Sequence, residues 1–224
     1  MGTVPASTRR APVPAAENRE RILRAAGEVV AQRGVEQTRY ADIAAHAGVS
    51  ISTLQYLFGT LEALVVAVIA YQAREYLAVA RDQVDAIADP VVRLAWVIDH
   101  FVSADVDDAE ARADWLVWVE YWRAAARDPA LRADSFAAYE GWRALVADAV
   151  AAGVESGAFV PVIEAEAIAQ GILAMSDGLG IQIVLEHGGM TRRRASRLTR
   201  AWAAAMLTCP RLTGVRAPRG KLSR

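Results

Sequence analysis

Four uncharged polar side chains that could hydrogen-bond to nucleic acid fall within one short stretch of the sequence: Ser52, Thr53, Gln55 and Tyr56. Serine and threonine hydroxyls can bond to phosphates or base edges, glutamine can pair with adenine through two bonds, and a tyrosine hydroxyl can reach a phosphate. Such side chains read a duplex when they lie at the start of a helix that enters the major groove. The pattern therefore favours DNA contact, with an ordinary polar surface on two core helices as the alternative.

These side chains fall within residues 38–58, which are predicted to form two short helices joined by a tight turn. Apolar residues recur one helical turn apart in both halves, so each helix should bury one stripe and expose the other face. Gly48 falls where the first helix must end, because glycine takes the left-handed conformation at little cost. Thr38 is placed to cap the first helix, and Ser50 to cap the second. The apolar positions are Ile43, Ala44, Ala47, Val49, Leu54, Leu57 and Phe58.

Composition favours an all-α protein with a packed core. The chain has 224 residues, of which 54% are hydrophobic and 23% charged, so global disorder is not expected. Alanine is abundant, apolar residues recur at helical spacing, and β-branched runs are few. The net charge of −1 gives no overall attraction to nucleic acid, so any DNA contact must come from the local placement of residues.

Several features favour a soluble, cytoplasmic protein. Cys209 is the single cysteine, which excludes an internal disulfide and fits a reducing compartment. The first sixteen residues lack the apolar segment of a signal peptide. The most apolar run, residues 63–71, is too short to span a bilayer, so no membrane association is expected.

Residues 38–58 read TRYADIAAHAGVSISTLQYLF, which fits the pattern TxxxxIAxxAGVSxxTL followed by YxF. Together with an amphipathic segment before it and a long helical segment after it, this pattern resembles the TetR family of one-component transcriptional regulators over residues 21–64. The resemblance implies an all-α homodimer whose amino-terminal domain binds palindromic operator DNA. It also implies a divergent carboxy-terminal domain that binds a small-molecule effector and forms the dimer.

Three positions depart from the usual pattern of that family. Gln55 replaces a common phosphate-binding tyrosine, Leu57 replaces a histidine or tyrosine, and Leu61 replaces a lysine that often contacts the DNA backbone. Because these changes remove phosphate contacts, the alternative is an interaction module of the same fold with weak or lost DNA binding. The residues predicted to contact DNA are Thr38, Arg39, Tyr40, Ser50, Ser52, Thr53, Gln55 and Tyr56.

The sequence divides into four segments: a flexible arm, the helix-turn-helix domain, a ligand-binding and dimerisation domain, and a disordered basic tail. The arm is expected to be an ordinary solvated tail, with contact of Arg9 and Arg10 to DNA phosphates as the alternative. The acidic stretch 103–114 could be a loop or the start of a helix. The four segments are residues 1–16, 17–62, 63–208 and 209–224. Helices are predicted over residues 17–33, 60–87, 131–155, 164–187 and 191–207, with another beginning at Pro90.

Aromatic residues are concentrated between residues 115 and 142, where three tryptophans recur at helical spacing on one face. Such a stripe usually packs in a core, but aromatic walls with a few polar groups also line small-molecule pockets. An aromatic cage with a carboxylate would suit a cation. The segment AMSDGLGIQ resembles the carboxy-terminal domain of the choline-responsive subgroup of the family, without identifying a ligand. The candidate pocket residues are Trp96, His100, Trp115, Trp118, Tyr121, Trp122, Tyr139, Trp142, Met175 and Asp177.

The last two predicted helices carry broad apolar stripes in which small residues alternate with large ones. An antiparallel pair of this kind can form half of a four-helix dimer interface, with two ordinary core helices as the alternative. Five arginines within residues 192–200 are expected to form a solvated face or to pair with acidic residues. The residues predicted at the dimer interface are Ile172, Leu179, Ile183, Leu198, Trp202 and Met206.

No catalytic, metal or cofactor site is expected. The histidines His46, His100 and His187 lack the spacing of metal ligands, and the sequence has neither a P-loop nor a nucleophile elbow. The acidic stretch lacks the glycine and terminal glutamate of an EF-hand. The sequence therefore favours a ligand-responsive DNA-binding repressor over an enzyme, and it leaves the effector and the operator unnamed.

Overall fold

The computed structural model describes residues 15–35, 37–102 and 107–218, and every regular element in these ranges is helical. This confirms the all-α prediction. Of the arm expected over residues 1–16, residues 1–14 lie outside the described residues, as does the end of the tail at residues 219–224, and Ala15 and Ala16 belong to a helix. The α-helices are α1 (Ala15–Arg33), α2 (Tyr40–Ala47), α3 (Ile51–Phe58), α4 (Leu61–Asp85), α5 (Pro90–Phe101), α6 (Asp108–Ala125), α7 (Pro129–Glu155), α8 (Ala165–Val184) and α9 (Arg192–Met206).

The chain divides into two compact units, Met1–Gln72 and Ala73–Arg224, and helix α4 contributes residues to both. In the first unit, α1, α2, α3 and the beginning of α4 enclose one hydrophobic core. Its fully buried side chains come from each of these helices, as the apolar stripes predict. They include Ile22, Leu23, Ile43, Leu54 and Leu64.

The larger core of the second unit is formed by α5, α7, α8, α9 and the end of α4. One position in this core requires glycine, because the ring of Phe159 packs closely against it. A Cβ atom on Gly153 would lie 1.9 Å from that ring. Phe159 belongs to the connection between α7 and α8, and its amide donates to the carbonyl of Gly153 over 2.9 Å. The connection therefore folds back onto the last turns of α7 and closes one end of the core.

A buried ion pair between Arg200 and Asp99 joins α9 to α5. Arg200 Nε donates to Asp99 Oδ1 over 2.9 Å, and the Ser196 hydroxyl donates to the same oxygen over 2.6 Å. The guanidinium also donates to the carbonyl of Ala95 over 3.2 Å. The arginine run at residues 192–200 is therefore not a uniformly solvated face, because its last member is a satisfied core residue.

The prediction of a disordered tail from residue 209 is wrong for residues 209–218. Cys209 and Leu212 are buried, and Pro210–Thr213 form a short 3₁₀ helix. The Arg200 guanidinium binds this segment by donating to the carbonyl of Val215 over 2.7 Å. Composition alone suggested disorder, whereas one apolar side chain and one arginine 15 positions away hold the segment on the core.

One helix boundary differs from the predicted one by more than two residues, and the acidic stretch contains the start of a helix, one of its two expected structures. Helix α8 ends at Val184 rather than at residue 187, because Glu186 and Gly188 adopt left-handed backbone conformations with φ of 51° and 60°. Helix α6 begins at Asp108, within the acidic stretch, and residues 103–106 lie outside the described residues.

Helices α4 and α8 are each long and apolar enough to cross a membrane, judged by length and composition alone. The apolar part of α4 is therefore longer than the apolar run at residues 63–71 indicated by the sequence. Both helices supply residues to the cores described above, which accounts for their composition.

Candidate functional site

The turn between α2 and α3 has the geometry that its sequence predicts. Gly48 ends α2 in the left-handed conformation, with φ of 64° and ψ of 38°. Ser50 then caps α3, because its Oγ accepts a hydrogen bond from the amide of Thr53 over 3.0 Å. These two residues fix where α3 begins and how it leaves the turn.

The polar face of α3 is open to solvent. Leu54 and Phe58 are buried, whereas Ser52 and Gln55 are exposed and Tyr56 is 89% exposed. A tyrosine this exposed contributes little to the core, so its side chain is available to a partner.

Three hydroxyls cluster at the start of α3. Ser50 Oγ lies 2.7 Å from Ser52 Oγ and 2.8 Å from Thr53 Oγ1, so these groups hydrogen-bond to one another. Thr53 is half-buried, which leaves it less accessible than Ser52. The cluster can donate a hydrogen bond to a DNA phosphate once one internal bond is exchanged.

Thr38 has neither of the roles expected of it. Its side chain is 3% exposed, and its hydroxyl donates to the carbonyl of Gly34 over 2.7 Å. The residue that caps α2 is Arg39, whose amide donates to Asp42 Oδ2 over 3.2 Å. Thr38 therefore closes the turn after α1 and has no exposed group for DNA.

Arg39 and Tyr40 remain accessible at the start of α2. Arg39 is exposed and lines a surface depression of about 490 Å³ with Arg33, Gln37 and Asp42. The Tyr40 hydroxyl donates to the carbonyl of Gly59 over 2.9 Å, which ties α2 to the turn after α3, and burial raises the pKa of this hydroxyl. Both residues thus flank the exposed face of α3.

The ten predicted pocket residues do not form one cluster. His100 stacks on Trp96 with ring centroids 4.7 Å apart, and it lies 4.8 Å from Tyr76 and 5.9 Å from Trp142. Trp96, His100 and Trp142 are all buried. Because these rings are packed against one another, they have the role of core residues.

A second aromatic cluster lies on α6. Trp118 lies 6.0 Å from Tyr121 and 6.3 Å from Trp122, and Trp115 lies 6.2 Å from Trp122, between ring centroids. Trp118 and Trp122 are only half-buried, and Met175 packs against this group. The buried Trp115 Nε1 has no hydrogen-bond partner within the described ranges.

The register of α6 against α8 is fixed by two contacts. Arg112 Nε donates to the carbonyl of Val184 over 3.2 Å, and a Cβ atom on Gly180 would lie 2.3 Å from the Trp115 ring. The two helices run antiparallel. One turn further along α6 from Trp115 is Trp118, which therefore lies at about the same height as Asp177 on α8.

Asp177 is a carboxyl group in an unusual environment. Burial raises its pKa to about 7, and no ion pair or hydrogen bond to its side chain occurs in the described part of the chain. Tyr139 on α7 is close enough for its pKa to be raised, mainly by burial and then by the charges of Asp177 and Glu140. Asp177 and Tyr139 are therefore close enough for the charge of one to act on the other where α7 packs on α8, and no cation pairs with the acid among the described residues.

Three residues predicted at a dimer interface lie instead in the core of their own chain. Ile172, Leu179 and Ile183 are buried, the first in the larger core and the other two beside Trp115. The apolar stripe of α8 is broad, and the sequence could not show which edge of it faces inward.

Another face of α8 and α9 is apolar and exposed. Ile181 on α8 is 42% exposed, Leu185 just after α8 is 69% exposed, and Leu198 on α9 is 40% exposed. Trp202 is half-buried and lies over Gly171, where a Cβ atom would be 2.3 Å from its ring, and Met206 is half-buried as well.

The first unit therefore has the features of a helix-turn-helix DNA-binding domain, and the second is a helical domain with aromatic clusters and an exposed apolar face. Residues 22–68 match the family model described as bacterial regulatory proteins of the tetR family. Residues 95–208, about half of the chain, match the model of the BetI-type transcriptional repressor carboxy-terminal domain. The chain belongs to the TetR family and carries a BetI-type carboxy-terminal domain, so it is a ligand-responsive DNA-binding transcriptional regulator.

Curated relatives agree with this assignment. The chain is 26% identical over 191 residues to the HTH-type transcriptional regulator BetI of Burkholderia cenocepacia HI2424, covering 84% of this chain and 93% of the relative. It is also 26% identical over 182 residues to BetI of Stenotrophomonas maltophilia R551-3, covering 80% and 88%.

Solved structures share the fold. One is a transcriptional regulator from Saccharomonospora viridis in complex with choline, at 25% identity and a TM-score of 0.67, covering 84% of this chain and 95% of that one. Another is FadR from Bacillus subtilis in complex with stearoyl-CoA, at 20% identity and a TM-score of 0.55, covering 84% and 97%.

Substituting Ser50→Ala and Tyr56→Ala should separate the structural from the exposed positions of α3. Ser50→Ala removes the cap of α3 and should lower the free energy of unfolding by about 1 kcal/mol. Tyr56→Ala should change it by less than about 0.5 kcal/mol, because the side chain is exposed. Urea unfolding followed by circular dichroism measures both, and equal losses for the two variants would contradict the assignment.

Proposed function

We propose that this protein is a homodimeric, cytoplasmic repressor that reads operator DNA with α3 and is released by a small organic cation. The observation that most supports the nature of the effector is Asp177, a partly buried carboxyl that no cation of the described residues pairs with and whose charge acts on Tyr139. The DNA-reading role is supported by the exposed polar face of α3.

On DNA, the exposed side chains of α3 have distinct roles. Gln55 can form two bonds with an adenine edge in the major groove, and Ser52 and Tyr56 can donate to phosphates. Arg39 and Tyr40 at the start of α2 would contact the backbone on the flank of the same groove. Because α3 has few charged contacts, its selectivity rests on hydrogen bonds to bases.

Substituting Gln55→Ala should weaken binding to a duplex from the upstream region of the protein's own gene by about 5- to 150-fold. Binding to a scrambled duplex should change little, because that binding depends on phosphates. Fluorescence anisotropy measures both affinities, with Gln83→Ala in α4 as the control. If the wild type shows no salt-sensitive binding to either duplex, the protein is an interaction module rather than a DNA-binding repressor.

The exposed apolar face of α8 and α9 supports dimerisation. Ile181, Leu185 and Leu198 present large apolar side chains to solvent. Small residues at Ala174 and Gly178 also lie on the exposed face of α8, where they allow another helix to approach closely. A symmetric pairing of these two helices would bury this face and place two copies of α3 in one particle.

Substituting Ile181→Asp should convert the dimer to monomers at micromolar concentration, because an unpaired carboxylate would be buried in the interface. Val79→Asp is the matched control, since Val79 is also an exposed β-branched apolar residue but lies on α4. Sedimentation velocity measures the mass of each variant. A wild-type protein that sediments as a monomer, or an Ile181→Asp variant that stays dimeric, would rule out this interface.

The side chains of Asp177, Tyr139 and Trp118 are of the kinds that bind a quaternary ammonium group. A carboxylate supplies the countercharge, and aromatic faces attract a cation with about 0.5–2 kcal/mol each. A similar regulator from Saccharomonospora viridis has been solved with choline, which is a compound of this class.

Effector binding would release DNA by a population shift. The cation would favour the conformer in which the two copies of α3 no longer match adjacent major grooves. A coupling free energy of about 1–3 kcal/mol is typical of such regulators and would lower operator affinity 5- to 150-fold.

Choline affinity should rise with pH and depend on Asp177. Because the pKa of the free protein's Asp177 is raised to about 7, the carboxyl is mostly protonated at pH 6 and mostly ionised at pH 8. A cation binds the ionised form, so the affinity should increase about tenfold from pH 6 to pH 8 and then level off. Titration followed by tryptophan fluorescence measures it.

Asp177→Asn should bind choline weakly and without this pH dependence. Glu120→Gln is the control, because it removes an exposed α6 carboxylate that pairs with Arg123. The same pH profile in the wild type and in Asp177→Asn would exclude Asp177 as the countercharge.

A further inference from the structure

The recognition helix α3 lies in a stretch of sequence that carries no cation of its own. Between His46 and Arg74 there is no lysine, arginine or histidine. Affinity for duplex DNA depends largely on cations that neutralise phosphates and release counterions. Any charged anchor for α3 must therefore come from another element of the first unit.

Three of the five described arginines of the first unit already hold protein groups. Arg21 donates to the carbonyl of the last residue of α2 over 2.6 Å. Arg24 donates to a tyrosine hydroxyl over 3.0 Å, and Arg33 pairs with a carboxylate of α2 over 3.0 Å. Arg39 is accessible at the start of α2, next to Tyr40, whose hydroxyl bonds to the turn after α3, and one more accessible cation lies on α1.

Arg19 of α1 is that cation. Its guanidinium carbon lies 4.8 Å from the centroid of the Phe58 ring, and Phe58 is the last residue of α3. The ring is buried in the core of the first unit and gives a fixed platform for the guanidinium. Arg19 is exposed, and no carboxylate pairs with it in the residues that the structure describes.

We propose that Arg19 is a DNA-backbone contact that anchors the end of α3 on a phosphate. A guanidinium offers two parallel N–H donors to a phosphodiester, while its face stays on the Phe58 ring. Stacking restricts the side chain before DNA arrives, so less conformational entropy is lost on binding.

This role predicts weaker binding that does not depend on sequence. It rests on DNA binding by α3, and a symmetric dimer would present Arg19 twice. Arg19→Gln should therefore lower the slope of log affinity against log salt by about two units. At 0.15 M salt, it should weaken binding to the upstream duplex and to a scrambled duplex alike, by about 10- to 30-fold.

The test is an anisotropy titration of the full-length protein with both duplexes at four salt concentrations. Arg24→Gln is the matched control, because it removes the same charge from the same helix at a residue bonded to a tyrosine. Arg19→Lys should keep most of the salt slope, since the charge remains, and thermal unfolding of each variant reports on the fold.

An unchanged salt slope in Arg19→Gln, with intact wild-type binding, would overturn this inference alone. An equal loss of slope in Arg24→Gln would also overturn it, because the effect would then be one of total charge. A wild type that binds neither duplex at low salt would instead overturn DNA binding itself.

Discussion

An eight-residue helix is not stable by itself in water, so the recognition helix depends on what holds its two ends. Ser50 caps its start and Gly59 ends it, while Leu54 and Phe58 fix its inner face in the core of the first unit. Because the caps and the buried side chains hold the helix, the side chains on its outer face are not needed for its stability. Its side chains are therefore free to be chosen for a partner.

The electrostatics of the first unit follow from that division. The outer face of α3 is uncharged, so hydrogen bonds to base edges can provide selectivity without strong general attraction to DNA. Cations are placed around it on α1 and at the start of α2, where Arg19 and Arg39 are exposed. The net charge of −1 is thus compatible with a DNA-binding role, because the positive groups are local.

The helix-turn-helix unit could be predicted closely from the sequence because its signals are local. Gly48 and Ser50 each act within a few residues, and their geometry matches what those residue types require. Thr38 was wrongly predicted to cap α2, because α2 begins one residue later than expected. The hydroxyl of Thr38 therefore bonds within the turn after α1. Such a shift by one residue depends on packing and has no local signal.

The second unit was harder to predict because its contacts join distant residues. The aromatic residues divide between two clusters, and the register of the packed helices decides which cluster each one joins. Trp115 packs on Gly180, and His100 packs between Trp96 and Tyr76. Residues 209–218 are held on the core by Arg200, and no local pattern in the sequence indicates that this arginine is buried. Of the predicted interface residues, the three on α8 face inward for the same reason.

Selection of bound sites from a random duplex pool would test most directly whether two copies of α3 read DNA as a symmetric pair. The account predicts an enriched palindrome whose half-sites are centred about one helical turn apart, roughly 34 Å, or a multiple of that distance. Enrichment of a single unrepeated half-site, or no enrichment at all, would contradict it.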